Sequence, residues 1–379
     1  MNEKFLHIIS FDTPSPPNYG GVIDVYYKIK YLYQSGFKVI LHCFNYNERI
    51  VSDQLKSYCH KIYTYTRHNA LIKQFSFLPY TVYSRKNKIL LQNLLQDNYP
   101  ILFETLHCAY YINHRALQNR KKILRLSNIE HHYYYHLFIN EKKIWKKLYF
   151  LTESIKLYFF EKKAFHYSDY ILPVTTTDST YVSKYYNNKK TKTIPSFHAS
   201  QNINITNGKG DYILYHGNLS VAENYSAVEY LIKNIFSKIS FPIIIAGKNP
   251  PAFLNTMIKN LPHIKIVSTP SESEMQSLIQ NAHINLLYTN QPTGLKLKLI
   301  NTLFLSRFII CNKEMLVGTD IVGNSSICIC QTDSEIIKNI HRLININFEN
   351  QESTDREKSI ISFDNTKNLE TLLSFTLLQ

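Results

Sequence analysis

Apolar residues recur near the start of the chain with two different periods. Lys4–Phe11 is a short, mainly apolar run that fits a strand. Val22, Val25, Tyr26, Ile29 and Leu32 then fall three or four apart, which places them on one face of a helix. That helix is expected over about Val22–Gln34, with Gly36 as its C-cap, and Lys38–Phe44 returns to a strand. The Pro-rich turn TPSPPNYGG joins the first strand to the helix, so the unit is βαβ with Gly20-Gly21 opening the helix. A helix N-terminus offers unpaired backbone N–H groups to an anion. Glycine also serves such turns for geometry alone.

Further on, KKIWKKLYFLTESIKLYFFEKKAF (142–165) is helical in pattern and dense in aromatics and lysines. It fits a core helix with snorkelling lysines or a helix lying on a membrane surface. The polar stretch 187–211, with Pro195 and two glycines, reads as an interdomain linker. Strands follow at Tyr212–Tyr215, Pro242–Ala246, Ile264–Val267, Ile284–Tyr288, Phe308–Cys311 and Ser326–Cys330. Helices lie between them, one opened by a capping-box pattern at Ser271 and Glu274. Regular alternation implies an α/β protein whose parallel sheets carry helices on both faces. The expected organisation is an N-terminal domain over 1–198, a linker over 199–211 and a second domain over 212–350. Residues 351–379 are expected to form a helical segment that returns to the first domain. Two such Rossmann-like, doubly wound domains facing across a cleft would bind ligand at the carboxyl ends of their strands.

Composition agrees with a folded, two-domain chain: 379 residues, 44% of them hydrophobic and 19% charged. Only 10 glycines and 13 prolines are present, which excludes collagen-like architecture. Lys+Arg number 43 against 28 Asp+Glu, a net +15 that calls for an anionic partner. The excess is unevenly placed. Residues 1–200 hold 28 basic and 13 acidic residues, whereas 201–379 hold 15 of each. The six cysteines form no CxxC pair or zinc-finger spacing and read as buried free thiols of a reducing cytosol. His7 and Asp12 break the N-terminal apolar stretch, which reads as a strand rather than a signal peptide. No run approaches the roughly 18–20 apolar residues that span a bilayer.

The segment with the most chemistry is TGLKLKLINTLFLSRFIICN (293–312), a strand-to-helix bend at Gly294 followed by a helix and another strand. Lys296 and Lys298 in its first turn would set two cations beside free N–H groups, a combination suited to a diphosphate. Solvated surface lysines would show the same spacing.

Here the chain resembles a family. YHGNLSVAEN (215–224), IIIAGKNP (243–250) and TGLKLKLIN (293–301) are similar to the donor-domain motifs GRLxxxKN, the glycine-ended second strand and TGIKxKxLE of retaining family-4 GT-B glycosyltransferases. PPNYGGV (16–22), RLSNIEHHYYYHL (125–137) and EKKAFHYSDYILPVT (161–175) resemble that family's glycine-rich loop, RxHNxE and EKxxxxxADxxxxVS in the acceptor domain. The resemblance covers nearly the whole chain in order. It implies a GT-B glycosyltransferase that uses a nucleotide-diphosphate sugar as substrate, with no cofactor and no metal. Gly20, Gly21, Gly217, Asn218, Asn224, Gly247, Lys248, Thr293, Gly294, Lys296, Lys298 and Asn301 would bind the donor. His107, Glu130 and His131 would serve at the reacting sugar, and Arg125, Asn128 and Glu130 would form a polar network at a strand end. The departures are specific. Asn218 replaces the family's Arg, Glu223 its Lys, Ser127 its motif His, and Thr293 and Asn301 the two glutamates of E-x7-E. Phosphate neutralisation would therefore fall to Lys296 and Lys298, and Asn301 would hold the ribose without charge.

The expected acceptor is a glycan or a polyprenyl-diphosphate-linked sugar, in surface polysaccharide synthesis. The basic first half would place a cytoplasmic protein peripherally on the anionic inner face of the plasma membrane. Three other readings stand beside this one: a same-fold nucleotide-sugar 2-epimerase, an inactive nucleotide-sugar binder, and a nucleic-acid-binding protein. The first would need cleft carboxylates and histidines that the donor loops scarcely supply, and the last lacks any nucleic-acid-binding motif.

Overall fold

The computed structural model describes residues 3–45, 49–68, 76–186 and 190–377. The chain divides into two units. One runs to His198 and also takes Thr293–Leu295 and the segment from Asn365 on; the other comprises Ala199–Pro292 and Lys296–Asp364.

The first unit begins β1 (Lys4–Ser10), α1 (Gly20–Gln34), β2 (Phe37–Asn45), α2 (Asp53–Tyr58) and β3 (Lys61–Thr66). It continues α3 (Tyr80–Tyr83), α4 (Lys88–Leu94), β4 (Ile101–Glu104), β5 (Lys122–Leu126), α5 (Glu130–Asn140), α6 (Ile144–Tyr167), β6 (Tyr170–Pro173) and α7 (Thr176–Tyr186). Its strands form a parallel sheet in the order β3-β2-β1-β4-β5-β6. Parallel strands covered on both faces read as near-continuous apolar runs, and Leu6, Ile8, Ile9, Val39, Leu41, Leu102, Phe103, Ile123 and Leu124 are all fully buried. α1 ends at Gln34, and Gly36 follows at φ +82, a left-handed conformation that a Cβ would oppose.

The second unit is built from β7 (Ile213–His216), α8 (Ala222–Asn234), β8 (Ile243–Gly247), α9 (Ala252–Ile258), β9 (Ile264–Ser268), α10 (Glu272–Asn281) and β10 (Ile284–Leu287). α11 (Leu297–Leu305), β11 (Phe308–Asn312), β12 (Ile327–Cys330), α12 (Asp333–Leu343) and α13 (Asn350–Ile360) complete it. Its parallel sheet runs β12-β11-β10-β7-β8-β9. Numbered from β7, this is the same permutation as in the first unit, with the chain reversing direction across the sheet between β7 and β10. Ser271 and Glu274 form the reciprocal capping box that opens α10. The last helix, α14 (Asn365–Leu377), packs on α1 within the first unit.

The polar stretch 187–211 is more structured than its composition implies. Residues 187–189 lie outside the described residues. Thr191 bridges to Ile171, and Ile194 N donates to Pro173 O at 3.0 Å, so the chain pairs alongside β6. Ile194 and Phe197 are buried in the core of the first unit, and these two apolar residues outweigh the polar neighbours that suggest a linker. Further on, Gly208 pairs with Phe348, and Gly210 N donates to His283 Nδ1 at 3.2 Å, within the second unit.

Candidate functional site

In an open parallel sheet the ligand crevice lies at the carboxyl ends of the strands where the order reverses. In the second unit these are the ends of β7 and β10. β7 delivers Tyr215 and His216 and then turns through Gly217 and Asn218 into α8. The turn is tight against β8. Gly217 N donates to Ala246 O at 3.1 Å, and a Cβ on Gly247 would collide with Gly217 O. Glycine at 247 is thus demanded by close backbone approach. Asn218 Oδ1 accepts from both Ser220 N (3.2 Å) and Ser220 Oγ (2.7 Å), so this side chain is committed to its own loop. Asn224 Nδ2 donates to Asn218 O at 3.0 Å and holds the turn from the first turn of α8.

From β10 the chain passes Tyr288, Thr289, Thr293 and Gly294, which stands at φ +67, before α11 begins. Lys296 immediately precedes that helix and is half-buried. Lys298, in the first turn, points into the site. Its Nζ lies 3.3 Å from Asn224 Oδ1, 3.5 Å from Tyr288 O and 5.1 Å from the centre of the Tyr215 ring. Burial lowers its pKa to about 8; nearby Glu223 opposes the shift and Lys296 adds to it. His216 is buried against Thr302, 3.0 Å from Nε2 to Oγ1, and burial plus the Lys298 charge lower its pKa to about 3. The imidazole is therefore neutral, and Lys298 is the cation of this corner. Glu223 accepts a hydrogen bond from the Thr289 hydroxyl. Thr289 is itself clamped by Asn312, whose Oδ1 accepts from Thr289 N at 3.2 Å and whose Nδ2 donates to Thr289 O at 2.7 Å.

Gly217, Asn218, Asn224, Gly247 and Lys298 thus converge on one corner of the second sheet. Asn301 follows one turn later in α11 and is half-buried, whereas Lys248 is exposed beyond β8. His216, Glu223 in its supporting role, Thr289 and Asn312 are site-shaping residues that the motifs did not single out. Their contacts join positions 23 to 86 residues apart, and the one local signal is that Tyr288-Thr289 directly follows a strand.

In the first unit Gly20 and Gly21 are the opening residues of α1, Gly20 exposed and Gly21 half-buried. The loop before them is pinned from both sides. Arg85 donates to Phe11 O at 3.2 and 3.0 Å, Arg49 donates to Thr13 O at 2.8 Å, and Tyr19 donates to Asp12 Oδ2 at 2.6 Å. His107 follows β4, and its Nε2 lies 3.4 Å from the buried carboxylate of Glu130 at the start of α5. The contact is not a hydrogen bond, and His107 Nε2 is buried with no hydrogen-bond partner among the described residues. His131 turns the other way, its Nδ1 bonded to buried Glu161 of α6 and its Nε2 3.3 Å from Tyr181 Oη. Glu161 also accepts from Glu130 N at 2.7 Å and His131 N at 3.3 Å, which satisfies the first two N–H groups of α5. Burial raises the Glu161 pKa against the pull of the His131 ring.

Arg125 does not join Glu130 in one network. Its guanidinium pairs with Asp24 (3.2 Å) and donates to the carbonyls of Leu172, Ile194 and Pro195. Asp24 also meets Lys28 at 3.3 Å, and Lys28 meets Glu104 at 2.6 Å. Burial pushes the Asp24 carboxyl up, but Arg125 and Lys28 outweigh it and leave the pKa lowered. The physical reason for the departure is burial: Arg125 is almost wholly enclosed and takes the nearest carboxylate inside the core.

Among the described residues no group of three or more His, Cys, Asp or Glu is arranged to hold a metal ion, and no helix is long and apolar enough to cross a membrane.

Two doubly wound parallel sheets in tandem, each with its loops at the strand carboxyl ends, define an α/β two-domain fold of the GT-B type. Solved structures share it along the full chain. Anabaena HepE in complex with UDP and glucose is 12% identical with a TM-score of 0.66, covering 97% of this chain and 98% of that one. S. aureus TarM, solved with Fondaparinux, alpha-GlcNAc-glycerol and UDP, is 9% identical with a TM-score of 0.67 and covers 100% of both chains. A glycosyltransferase from Rickettsia africae is 12% identical with a TM-score of 0.65, covering 99% and 98%. In sequence, the chain is similar to an uncharacterized 44.6 kDa protein in the cps region of Klebsiella pneumoniae, 24% identical over 93% of this chain and 96% of that protein. No family model matches the chain.

Proposed function

We propose that the protein is a glycosyltransferase that moves a sugar from a nucleotide-diphosphate donor to a glycan or polyprenyl-diphosphate-linked acceptor in surface polysaccharide synthesis. The observation that carries the reading is Lys298: a buried cation in the first turn of α11, at the reversal point of the second sheet, with hydrogen bonds to two neutral oxygens. Support comes from the neighbours solved with UDP and from the relative in a cps region.

Cleaving a sugar–phosphate bond builds positive charge on the sugar ring and negative charge on the departing diphosphate. Lys298, assisted by Lys296, would stabilise that leaving group. Asn301 is assigned to the ribose hydroxyls, and Gly217 and Gly247 to the tight turn that would lie beneath the nucleotide. We assign retention of configuration, with a departing phosphate oxygen taking the acceptor's proton on the same face, and we assign no metal requirement. We assign His107 and Glu130 to the reacting sugar, with His107 Nε2 turned towards the Glu130 carboxylate at 3.4 Å. His131 is a positioning residue, because its ring is held by Glu161 and Tyr181. The protein is placed in the cytoplasm, peripheral on the inner face of the plasma membrane.

The test is a calorimetric and thermal-shift series with UDP, GDP, TDP and their sugar conjugates, with and without EDTA, on the parent and on Lys298→Met. One nucleotide is expected to raise the melting temperature of the parent and not of the variant. Equal binding by a folded variant would remove the phosphate-clamp assignment. One feature favours a second reading, nucleotide-sugar binding without turnover: Asn218 stands where the family has Arg, and its side chain is spent on Ser220. Tight binding with no product across donors and acceptors would select that reading.

A further inference from the structure

The α5–α6 hairpin of the first unit carries an apolar surface that the fold does not cover. α6 is 24 residues long, and its inward face supplies Leu157, Phe160, Ala164 and Phe165 to the core. An ordinary amphipathic helix would be polar opposite that face. Here the outward face holds Ile144 (69% exposed), Leu148 (55%), Ile155 (52%) and Phe159 (66%). Spaced 4, 7 and 4 apart, they form one stripe along roughly 22 Å of helix at 1.5 Å per residue. Trp145, 81% exposed at one edge of the stripe, is the single tryptophan of the sequence.

The charges around the stripe are of one sign. Lys142, Lys143 and Lys146 are exposed at its start, and Lys162 and Lys163 at its end. The acidic residues of α6 face elsewhere. Glu153 is buried, bonded to Tyr80 N and paired with Lys156, and Glu161 is buried beneath α5. Glu141, at the turn between the helices, accepts the backbone N–H groups of Lys142 and Lys143. An apolar stripe with an exposed indole and lysine clusters at both ends matches a helix lying in the plane of an interface. Its rings would sit at headgroup level and its lysine stems would reach anionic lipid.

We infer that the outward face of α6 docks the protein on an anionic bilayer, with Ile144, Trp145, Leu148 and Phe159 entering the headgroup region and the flanking lysines contacting lipid phosphates. The inference deepens the membrane placement in the proposed function and rests on it. It concerns only the first unit, so its failure would leave donor binding in the second unit untouched.

Because Trp145 is the single indole, the full-length protein reports its own docking. At low salt, vesicles of phosphatidylcholine mixed with phosphatidylglycerol should shift its emission to shorter wavelength and sediment the protein. Pure phosphatidylcholine vesicles should do neither, and high salt should reverse both effects. The triple variant Ile144→Asp, Leu148→Asp, Phe159→Asp should bind anionic vesicles about tenfold more weakly or worse, with an unchanged circular dichroism spectrum. If that variant fails to fold, Lys142→Gln, Lys143→Gln, Lys146→Gln leaves the stripe intact and should lose most of the salt-sensitive binding. An emission spectrum indifferent to anionic vesicles at low salt overturns the inference. So does a blue shift that follows protein concentration rather than lipid, which would make the stripe the seat of a second copy. Nucleotide-induced thermal shifts, measured on the same samples, report the donor reading separately.

Discussion

Behind the reversal point of the first sheet, between β1 and β4, four charged side chains are sealed in the core. Asp24 and Lys28 come from α1, Glu104 from β4 and Arg125 from β5, and they satisfy one another and the chain at 194–197. At the matching point of the second sheet, between β7 and β10, stands Lys298, whose hydrogen bonds go to an amide oxygen and a backbone carbonyl. One strand order thus supports two uses of charge. A closed cluster of two cations and two carboxylates leaves nothing for a ligand and serves the fold. A cation hydrogen-bonded to neutral oxygens, with the Glu223 carboxylate nearby but bonded to Thr289, is not closed off by an ion pair, and burial shows as its depressed pKa.

The largest effect is expected from opening the closed cluster. Arg125→Met strips Asp24 of its main partner and leaves the carbonyls of Ile194 and Pro195 without their donor. Breaking a buried ion pair from one side costs about 3–5 kcal/mol, so urea denaturation should show a loss of that order. Parent-like stability would mean that the cluster contributes nothing. The opposite pattern is expected of Lys298→Met. Removing a preorganised cation from a leaving group costs about 100-fold in turnover, and nucleotide affinity should fall with it, whereas the melting temperature should stay close to that of the parent because a poorly solvated charge has been removed. A variant that lost stability but kept turnover would reverse the roles assigned to the two clusters.

A smaller effect is expected beside the His107–Glu130 contact. Glu161→Ala leaves the N–H groups of Glu130 and His131 unsatisfied inside the protein, a loss of about 2 kcal/mol by the cost of an orphaned buried group. Glu161→Gln keeps an acceptor oxygen and should lose less stability than Glu161→Ala. If Glu161 only supports the helix, turnover in the glutamine variant will follow stability. If it orients His131 for the reaction, turnover will fall further than stability does.

What could be read from the sequence follows from periodicity. The six strands of the second sheet lie within one residue of the apolar runs that foretell them, because buried parallel strands are continuous in their chemistry. The helix carrying Lys298 was legible for the same reason. The contacts that position Lys298 were not. Glu223 and Thr289 are 66 positions apart, and Asn312 reaches Thr289 across neighbouring strands. Small polar residues have no period that would announce such contacts. Asp24 and Lys28 at helical spacing look like a solvated pair, and only the sheet beneath α1 makes them a buried one. The stretch 190–198 hides Ile194 and Phe197 among lysines and threonines, so composition suggested a linker where there is core.

The last effect concerns pH, where the two clusters should part most clearly. Lys298 titrates at about 8 in the folded protein, against 10.5 for an ordinary lysine. Between those values the unfolded chain holds a proton that the folded chain has released, so stability rises with pH across that window. An anionic ligand needs the charged form, so its affinity must fall over the same range, by about tenfold per pH unit once the pH exceeds 8. Opposite trends for stability and affinity identify a single group better than either trend alone. Bound diphosphate should also raise the lysine's pKa, so binding above pH 8 should be accompanied by proton uptake, which calorimetry in buffers of different ionisation enthalpy can count. Lys298→Arg should abolish the pH dependence of affinity while keeping a cation, because guanidinium stays charged throughout this range. If the parent's nucleotide affinity were level from pH 7 to 10, the cation that holds the diphosphate would have to be one that does not titrate there, and Lys298 would serve the fold as Lys28 does.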